Sequence, residues 1–224
     1  MRIVFFGDSI TEGCFELFDN HCGGIDVVRD VPSGYASLVT ERLKRRFGDS
    51  EITAFNAGVG GETAADGLKR IESDVIAKKP DIVTVCFGLN DIGQTPCDDY
   101  GNTLAEIFKR LNSAGAKVIL MTPNMVNTYV HPLNLKILKC TAESCAERQN
   151  NGTVDTLMDI ARQRAAEYGV PVCDTYAVWK KMSGYGIDTT ALLCNHINHP
   201  TREMHRLFAD MLEKAITEIM QKDI

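Results

Sequence analysis

Arg2-Ile3-Val4-Phe5-Phe6-Gly7-Asp8-Ser9-Ile10-Thr11-Glu12-Gly13 opens the chain and sets its architecture. The apolar run from Ile3 to Phe6 reads as a short buried strand. Gly7 ends it by letting the backbone turn, and two small polar residues, Asp8 and Ser9, follow. In an open α/β sheet, ligands bind just beyond the carboxyl ends of the strands. A serine at that edge is placed for chemistry, although Asp8 and Ser9 taken alone are equally good cap or turn residues. The later strand ends separate the two readings.

Four more strand-like runs follow, at Ile52 to Phe55, Asp81 to Phe87, Lys117 to Met121 and Val170 to Cys173. Helical periodicity fills the gaps between them. Tyr35, Leu38, Val39 and Leu43 share one face, with Gly48 as the stop; Leu68, Ile71, Val75 and Ile76 follow Glu62-Thr63; Leu104, Ile107, Phe108 and Leu111 precede Ala114-Gly115. A helix from Thr153 to Tyr168 closes at Gly169, and a C-terminal helix carries Met204, Leu207, Phe208, Met211, Leu212 and Ile216 on its apolar side. This alternation predicts an α/β fold, doubly wound on a mostly parallel five-stranded sheet. No repeat or composition break divides residues 1–224, so one domain is expected. Residues 14 to 32 read as a loop. Residues 125 to 150 read as an insertion, with short helices over Leu133–Lys139 and Cys140–Arg148, and are a candidate lid or substrate wall.

Composition narrows the function. A formal net charge of -6 is unsuited to nonspecific nucleic-acid binding, which needs Lys and Arg to neutralise phosphates. No apolar run approaches a membrane span, and the N-terminus lacks a signal-peptide pattern. Eight cysteines are even in number, but a chain of this length without an export signal is expected to be reduced and cytoplasmic. Cys86 and Cys173 sit in apolar strands and read as small buried hydrophobes. No pattern speaks to oligomeric state.

Parallel strands share one carboxyl edge, so the first three bring Ser9, the Gly58-Val59-Gly60-Gly61 loop and Asn90 to the same rim. A hydroxyl, exposed backbone N–H groups and a side-chain amide are the parts needed to attack an acyl carbonyl and hold the resulting oxyanion. The glycine loop is not a dinucleotide fingerprint, because Thr63 stands where G-x-G-x-x-G wants its last glycine. His199, just ahead of Pro200 and the C-terminal helix, is the candidate base.

Together Gly7-Asp8-Ser9-Ile10, Asn56-Ala57-Gly58-Val59-Gly60-Gly61-Glu62-Thr63, Gly88-Leu89-Asn90-Asp91 and His199-Pro200 resemble the SGNH (GDSL-like) esterases and acylhydrolases. The likeness runs from residue 3 to about residue 212. It implies a three-layer α/β/α, flavodoxin-like sandwich that hydrolyses small esters through an acyl-enzyme, without a cofactor or a metal. Carried over position by position, it makes Ser9 the nucleophile and His199 the general base. Ser9 N–H, Gly61 N–H and the Asn90 amide become the oxyanion hole.

One departure stands out. The family usually places an aspartate three residues before the histidine, and here that position is His196. A second histidine cannot hold the base's tautomer as a carboxylate does. Asp8, His196 and Asp188 are the candidate supporting residues, with Asp174 a further distant acid. The preferred expectation is a Ser–His dyad oriented by a backbone carbonyl.

Three other readings compete. Cys194, His196, His199 and His205, with His21 and Cys22, suggest a metal site, yet their spacing matches no established zinc pattern. Asp8 after the first strand suggests phosphoryl transfer, but no second acid follows until Glu12. The missing aspartate also allows a catalytically weakened binding module on the same scaffold.

Overall fold

A computed structural model describes residues 1–221, so the last three residues of the expected 1–224 domain lie outside the described region. Five strands form one parallel sheet: β1 (Arg2–Gly7), β4 (Thr53–Gly58), β5 (Ile82–Cys86), β6 (Lys117–Thr122) and β7 (Val172–Asp174), in the order β4-β1-β5-β6-β7. Counted among themselves, these strands run 2-1-3-4-5, the flavodoxin-like order. Central strands in such a sheet are covered on both faces and therefore read as unbroken apolar runs. Ile3 to Phe6 and Ile82 to Cys86 are accordingly buried throughout.

The helices are α1 (Ser9–Glu12), α2 (Tyr35–Phe47), α3 (Ala64–Asp74), α4 (Cys97–Ser113), α5 (Lys139–Asn150), α6 (Thr153–Glu167), α7 (Thr175–Gly184) and α8 (Arg202–Gln221). On one side α2 packs against α8; on the other, α3 packs on α4, α4 on α6, and α6 on α5. Their starts follow local chemistry. Thr63 caps α3 in a reciprocal box with Asp66, its Oγ1 accepting from the Asp66 N–H while Asp66 accepts from the Thr63 N–H. At the other end of α2, Lys44, Arg45 and Arg46 occupy the last turn and Gly48 terminates it.

Two segments depart from the sequence expectation. Residues 14 to 32 are not a loop but hold an antiparallel hairpin, β2 (Cys14–Asp19) and β3 (Ile25–Arg29). Its turn is closed by Asn20, whose Oδ1 accepts from the Cys22 and Gly24 N–H groups. The polar turn residues masked the short apolar pairs, Phe15 with Leu17 and Val27 with Val28, that drive the pairing. In the second segment, one 3₁₀ turn (Lys136–Leu138) runs into the single helix α5 instead of two short helices. Met125, Val126 and Asn127 at its start are buried, so that end is part of the core rather than a lid.

The short α1 lies directly on the end of the sheet. A Cβ at Gly58 would come within 2.2 Å of the Glu12 nitrogen, so only a bare backbone allows this seat. Asn56 fastens it, donating from Nδ2 to the Thr11 carbonyl at 2.8 Å.

Candidate active site

Ser9 emerges at the first position of α1, just past the end of β1. Asp8 caps that helix through Oδ1, which accepts from Ile10 N–H at 3.0 Å. The cap fixes the turn and leaves the Ser9 side chain facing a cavity of about 710 Å³, lined also by Gly60, Gly61, Asn90 and His199. The strand order reverses between β1 and β5, so Ser9 and Asn90 come from the two sides of the switch point.

His199 Nε2 lies 3.1 Å from Ser9 Oγ, and its Nδ1 lies 2.7 Å from the carbonyl oxygen of Phe15. A carbonyl oxygen only accepts, so Nδ1 carries the proton and Nε2 offers its lone pair to the serine hydroxyl. The Phe15 carbonyl is available because the hairpin slips register there. Cys14 pairs with Arg29 and Leu17 with Val27, leaving Phe15 and Glu16 opposite Val28 alone. Such a bulge frees backbone groups from the ladder and re-aims them.

The loop bearing His199 is held from within. Asn195 Oδ1 accepts from the N–H groups of Ile197, Asn198 and His199, at 3.0, 2.9 and 2.9 Å. Leu193 and Pro200 form a β-bridge across its neck. Arg202, at the start of α8, then ties the loop's exit to the hairpin. Its Nη1 reaches Glu16 at 2.6 Å, its Nε reaches Asp30 at 2.7 Å, and its guanidinium covers the Phe15 ring at 4.3 Å.

The model of the GDSL-like lipase/acylhydrolase family matches residues 5–207. The chain belongs to that family. An acetylxylan esterase of Geobacillus stearothermophilus is 30% identical over 133 residues, 54% of this chain and 59% of that protein. Esterase TesA of Pseudomonas aeruginosa is 32% identical over 94 residues, 41% of this chain and 45% of that protein. The matched stretches thus span less than two thirds of these relatives. Among solved structures, an acetyl xylan esterase, AlAXEase, superposes with a TM-score of 0.71 at 24% identity, covering 96% of this chain and 100% of its own, which shows the shared α/β/α fold.

In this GDSL-like chain the glycine loop is anchored by Glu12. Glu12 Oε2 accepts from Gly60 N–H at 2.7 Å, and its Oε1 binds Arg29 Nε at 2.5 Å. Burial pushes the Glu12 carboxyl up, but hydrogen bonds from Arg29, Cys14 and Gly60 outweigh it and leave it below the ordinary value. The next residue, Gly61, has φ +82, a left-handed backbone that suits glycine. Asn90 spends one amide hydrogen on the Glu62 carbonyl at 2.9 Å, leaving the other for a ligand. Arg70 braces the same loop, binding Glu62 at 2.6 Å and the Gly7 carbonyl at 3.1 Å.

The electrostatics suit a neutral base. Burial lowers the His199 pKa below its ordinary 6.5, against the opposing pull of the Phe15 carbonyl, Glu12 and Glu16. Asp8, fully buried, is pushed up to about 7 by desolvation, against the Ile10 hydrogen bond, with the nearby Asp91 charge adding to the rise.

The remaining expected site residues stand elsewhere. His196 has a left-handed backbone (φ +56) and stacks on His131 at 3.9 Å rather than on His199. Asp188 accepts from Tyr129 Oη at 2.7 Å and from Ala191 N–H, and Asp174 is bound to Arg162 and Thr122. Neither acid contacts His199. The Cys/His string does not converge either: His205 is packed among Phe15, Tyr35 and Phe208, and among the described residues no three His, Cys, Asp or Glu side chains form a metal-holding group. Asp8 is fully buried and caps α1 through Oδ1. Among the described residues, no helix is long and apolar enough to cross a membrane.

Proposed function

We propose that this chain is a serine-dependent carboxylic ester hydrolase, with Ser9 as nucleophile and His199 as general base. The observation that carries the reading is the relay from Ser9 Oγ to His199 Nε2 (3.1 Å) and from His199 Nδ1 to the Phe15 carbonyl (2.7 Å). Ser9 Oγ attacks the ester carbonyl carbon as its proton passes to Nε2. Negative charge grows on the carbonyl oxygen, where Ser9 N–H, Gly61 N–H and the free Asn90 amide hydrogen meet it. Collapse of the tetrahedral species breaks the bond to the alcohol oxygen, which takes the proton from Nε2. Water then repeats the sequence on the acyl-serine, releasing the acid and restoring both side chains.

The Phe15 carbonyl does the orienting that an aspartate otherwise provides. It holds the same tautomer but stabilises the imidazolium less than a full negative charge does. Losing the correct tautomer in a serine triad costs about 10⁴ in turnover. Keeping it through a carbonyl favours an active enzyme over a weakened binding module.

An O-acetylated carbohydrate is the proposed kind of substrate, supported by the acetylxylan esterase relative. Residues on α5, including Thr141 and Cys145, form the cavity's outer wall. Cytoplasmic residence belongs to the same proposal, supported by Cys22 and Cys140, two exposed free thiols suited to a reducing compartment. The test is a panel of para-nitrophenyl esters of rising acyl length, with acetylated xylo-oligosaccharides, on wild type and Ser9→Ala. Hydrolysis strongest on acetyl substrates and lost in Ser9→Ala supports the reading; no hydrolysis of any ester would overturn it.

A further inference from the structure

The chain carries a formal charge of -6, yet the cavity in front of Ser9 is lined by two arginines, Arg29 and Arg148, and by no aspartate or glutamate among the described residues. Arg29 is neutralised by Glu12 at 2.5 Å. Arg148 is not. Half-buried on α5, it donates from Nη1 to Ser144 Oγ one turn earlier, and among the described residues no carboxylate pairs with it.

Arg148 packs against the bare backbone of Gly93. The guanidinium lies so close over Gly93 that a Cβ there would sit 2.0 Å from Nε and 2.2 Å from Cζ. Gly93 also has φ +71, and it stands three residues after Asn90 on the loop that supplies an oxyanion donor. The side chain is therefore seated against the rim of the same cavity that Ser9 and Asn90 line. Of the five donors in a guanidinium fork, Ser144 engages one, and a partly desolvated cation is costly without a counter-charge. Planar oxyanions fit the remaining fork in bidentate fashion.

We propose that Arg148 selects esters that also carry an anionic group, a carboxylate or an equivalent oxyanion, which occupies the Arg148 end of the cavity while the ester carbonyl lies at Ser9. The inference rests on the esterase reading above and names a feature of its substrate. An acetylated sugar acid and the half-ester of a dicarboxylic acid both have this chemistry, with the anion on the alcohol side in the first and on the acyl side in the second.

Two substrate pairs test it. Phenyl acetate against 4-carboxyphenyl acetate probes the alcohol side, and para-nitrophenyl hexanoate against the para-nitrophenyl half-ester of adipic acid probes the acyl side. The readout is the ratio of kcat/KM, anionic over neutral, in wild type, Arg148→Met and Arg148→Lys, each checked for folding by circular dichroism. In at least one pair, Arg148→Met is expected to lower the ratio by about tenfold or more, the worth of a hydrogen bond to a charged group. Arg148→Lys retains part of it, and added salt erodes the wild-type ratio. Should Arg148→Met misfold, the Arg148→Lys ratio and the salt dependence carry the test. Hydrolysis of both members with a ratio unmoved by substitution and by salt overturns the inference alone. Failure to hydrolyse any of the four overturns the esterase reading beneath it.

Discussion

Phe15 and His199 stand 184 residues apart in the chain, yet the carbonyl of one holds the imidazole of the other at 2.7 Å. That contact depends on the hairpin, the bulge within it and the Arg202 tie. Arg202→Met keeps an apolar stem against the Phe15 ring but removes the bonds to Glu16 and Asp30. Both ion pairs are about a third exposed, so stability is expected to fall by about 1 kcal/mol or less. Turnover is expected to fall further, by about tenfold, because slight misplacement of a base is costly. Kinetics with para-nitrophenyl acetate alongside a thermal melt separates the two effects, and equal loss in both would count against the positioning role.

Asp188 provides the complementary test. It is bound to Tyr129 and Ala191, away from the base, so Asp188→Asn is expected to leave kcat/KM within about twofold of wild type, the ±0.5 kcal/mol typical of surface changes. His199→Ala is expected to cost about 10³-fold or more. Comparable losses in the two variants would mean that Asp188 reaches the base during turnover.

The pH dependence follows from the burial of His199. In its proposed role as general base His199 acts only when neutral, and burial lowers its pKa below 6.5. Protonation therefore removes activity only on the acid side, so kcat/KM is expected to rise with pH and level off before the ordinary histidine range is passed. A pH–rate profile with an acid-limb pKa above 6.5 would refute this.

Glu12 sets the height of the glycine loop through its 2.7 Å bond to Gly60 N–H. Glu12→Gln exchanges a charged acceptor for a neutral one and leaves Arg29 without its counter-ion. We expect kcat to drop by about ten- to a hundredfold, somewhat less than removal of an oxyanion donor itself. Because the oxyanion exists only in the transition state, KM should change little. A rise in KM at constant kcat would point to ground-state binding instead.

His205 links the same region to acid stability. Buried among Phe15, Tyr35 and Phe208, it accepts from Tyr35 N–H at 3.1 Å, and desolvation lowers its pKa to about 3. Between 6.5 and about 3 the unfolded chain binds a proton at this residue that the folded chain refuses, so stability is complete above that window and is lost as pH falls through it. His205→Gln keeps an acceptor for Tyr35 without the titration. Urea melts at several pH values should show a flatter acid limb for the variant, and identical limbs would exclude His205 as the source.

Ser9, the Gly58–Gly61 loop and Asn90 are legible from residue types and order, because parallel strands deliver their carboxyl ends to one edge whatever the details of packing, and His199 from its place just ahead of the C-terminal helix. The hairpin was less so, since its glycine-rich turn and polar residues obscured a short period-two pattern. Asn195 left only the weak signal of an acceptor side chain close to a histidine, and Glu12, 48 residues before Gly60, left no local signal. Arg148 left none, because its meaning depends on the carboxylates that are far from it.

The sequence by itself therefore determined the alternation of strands and helices and the polar residues at the strand ends, set by apolar periodicity and turn chemistry, while the flavodoxin-like order of the strands came with the family resemblance. Only the tertiary structure decided what orients His199. The partner is a backbone carbonyl, a group every residue possesses, and it becomes distinctive solely because a bulge in a distant hairpin leaves it unpaired and aims it at Nδ1.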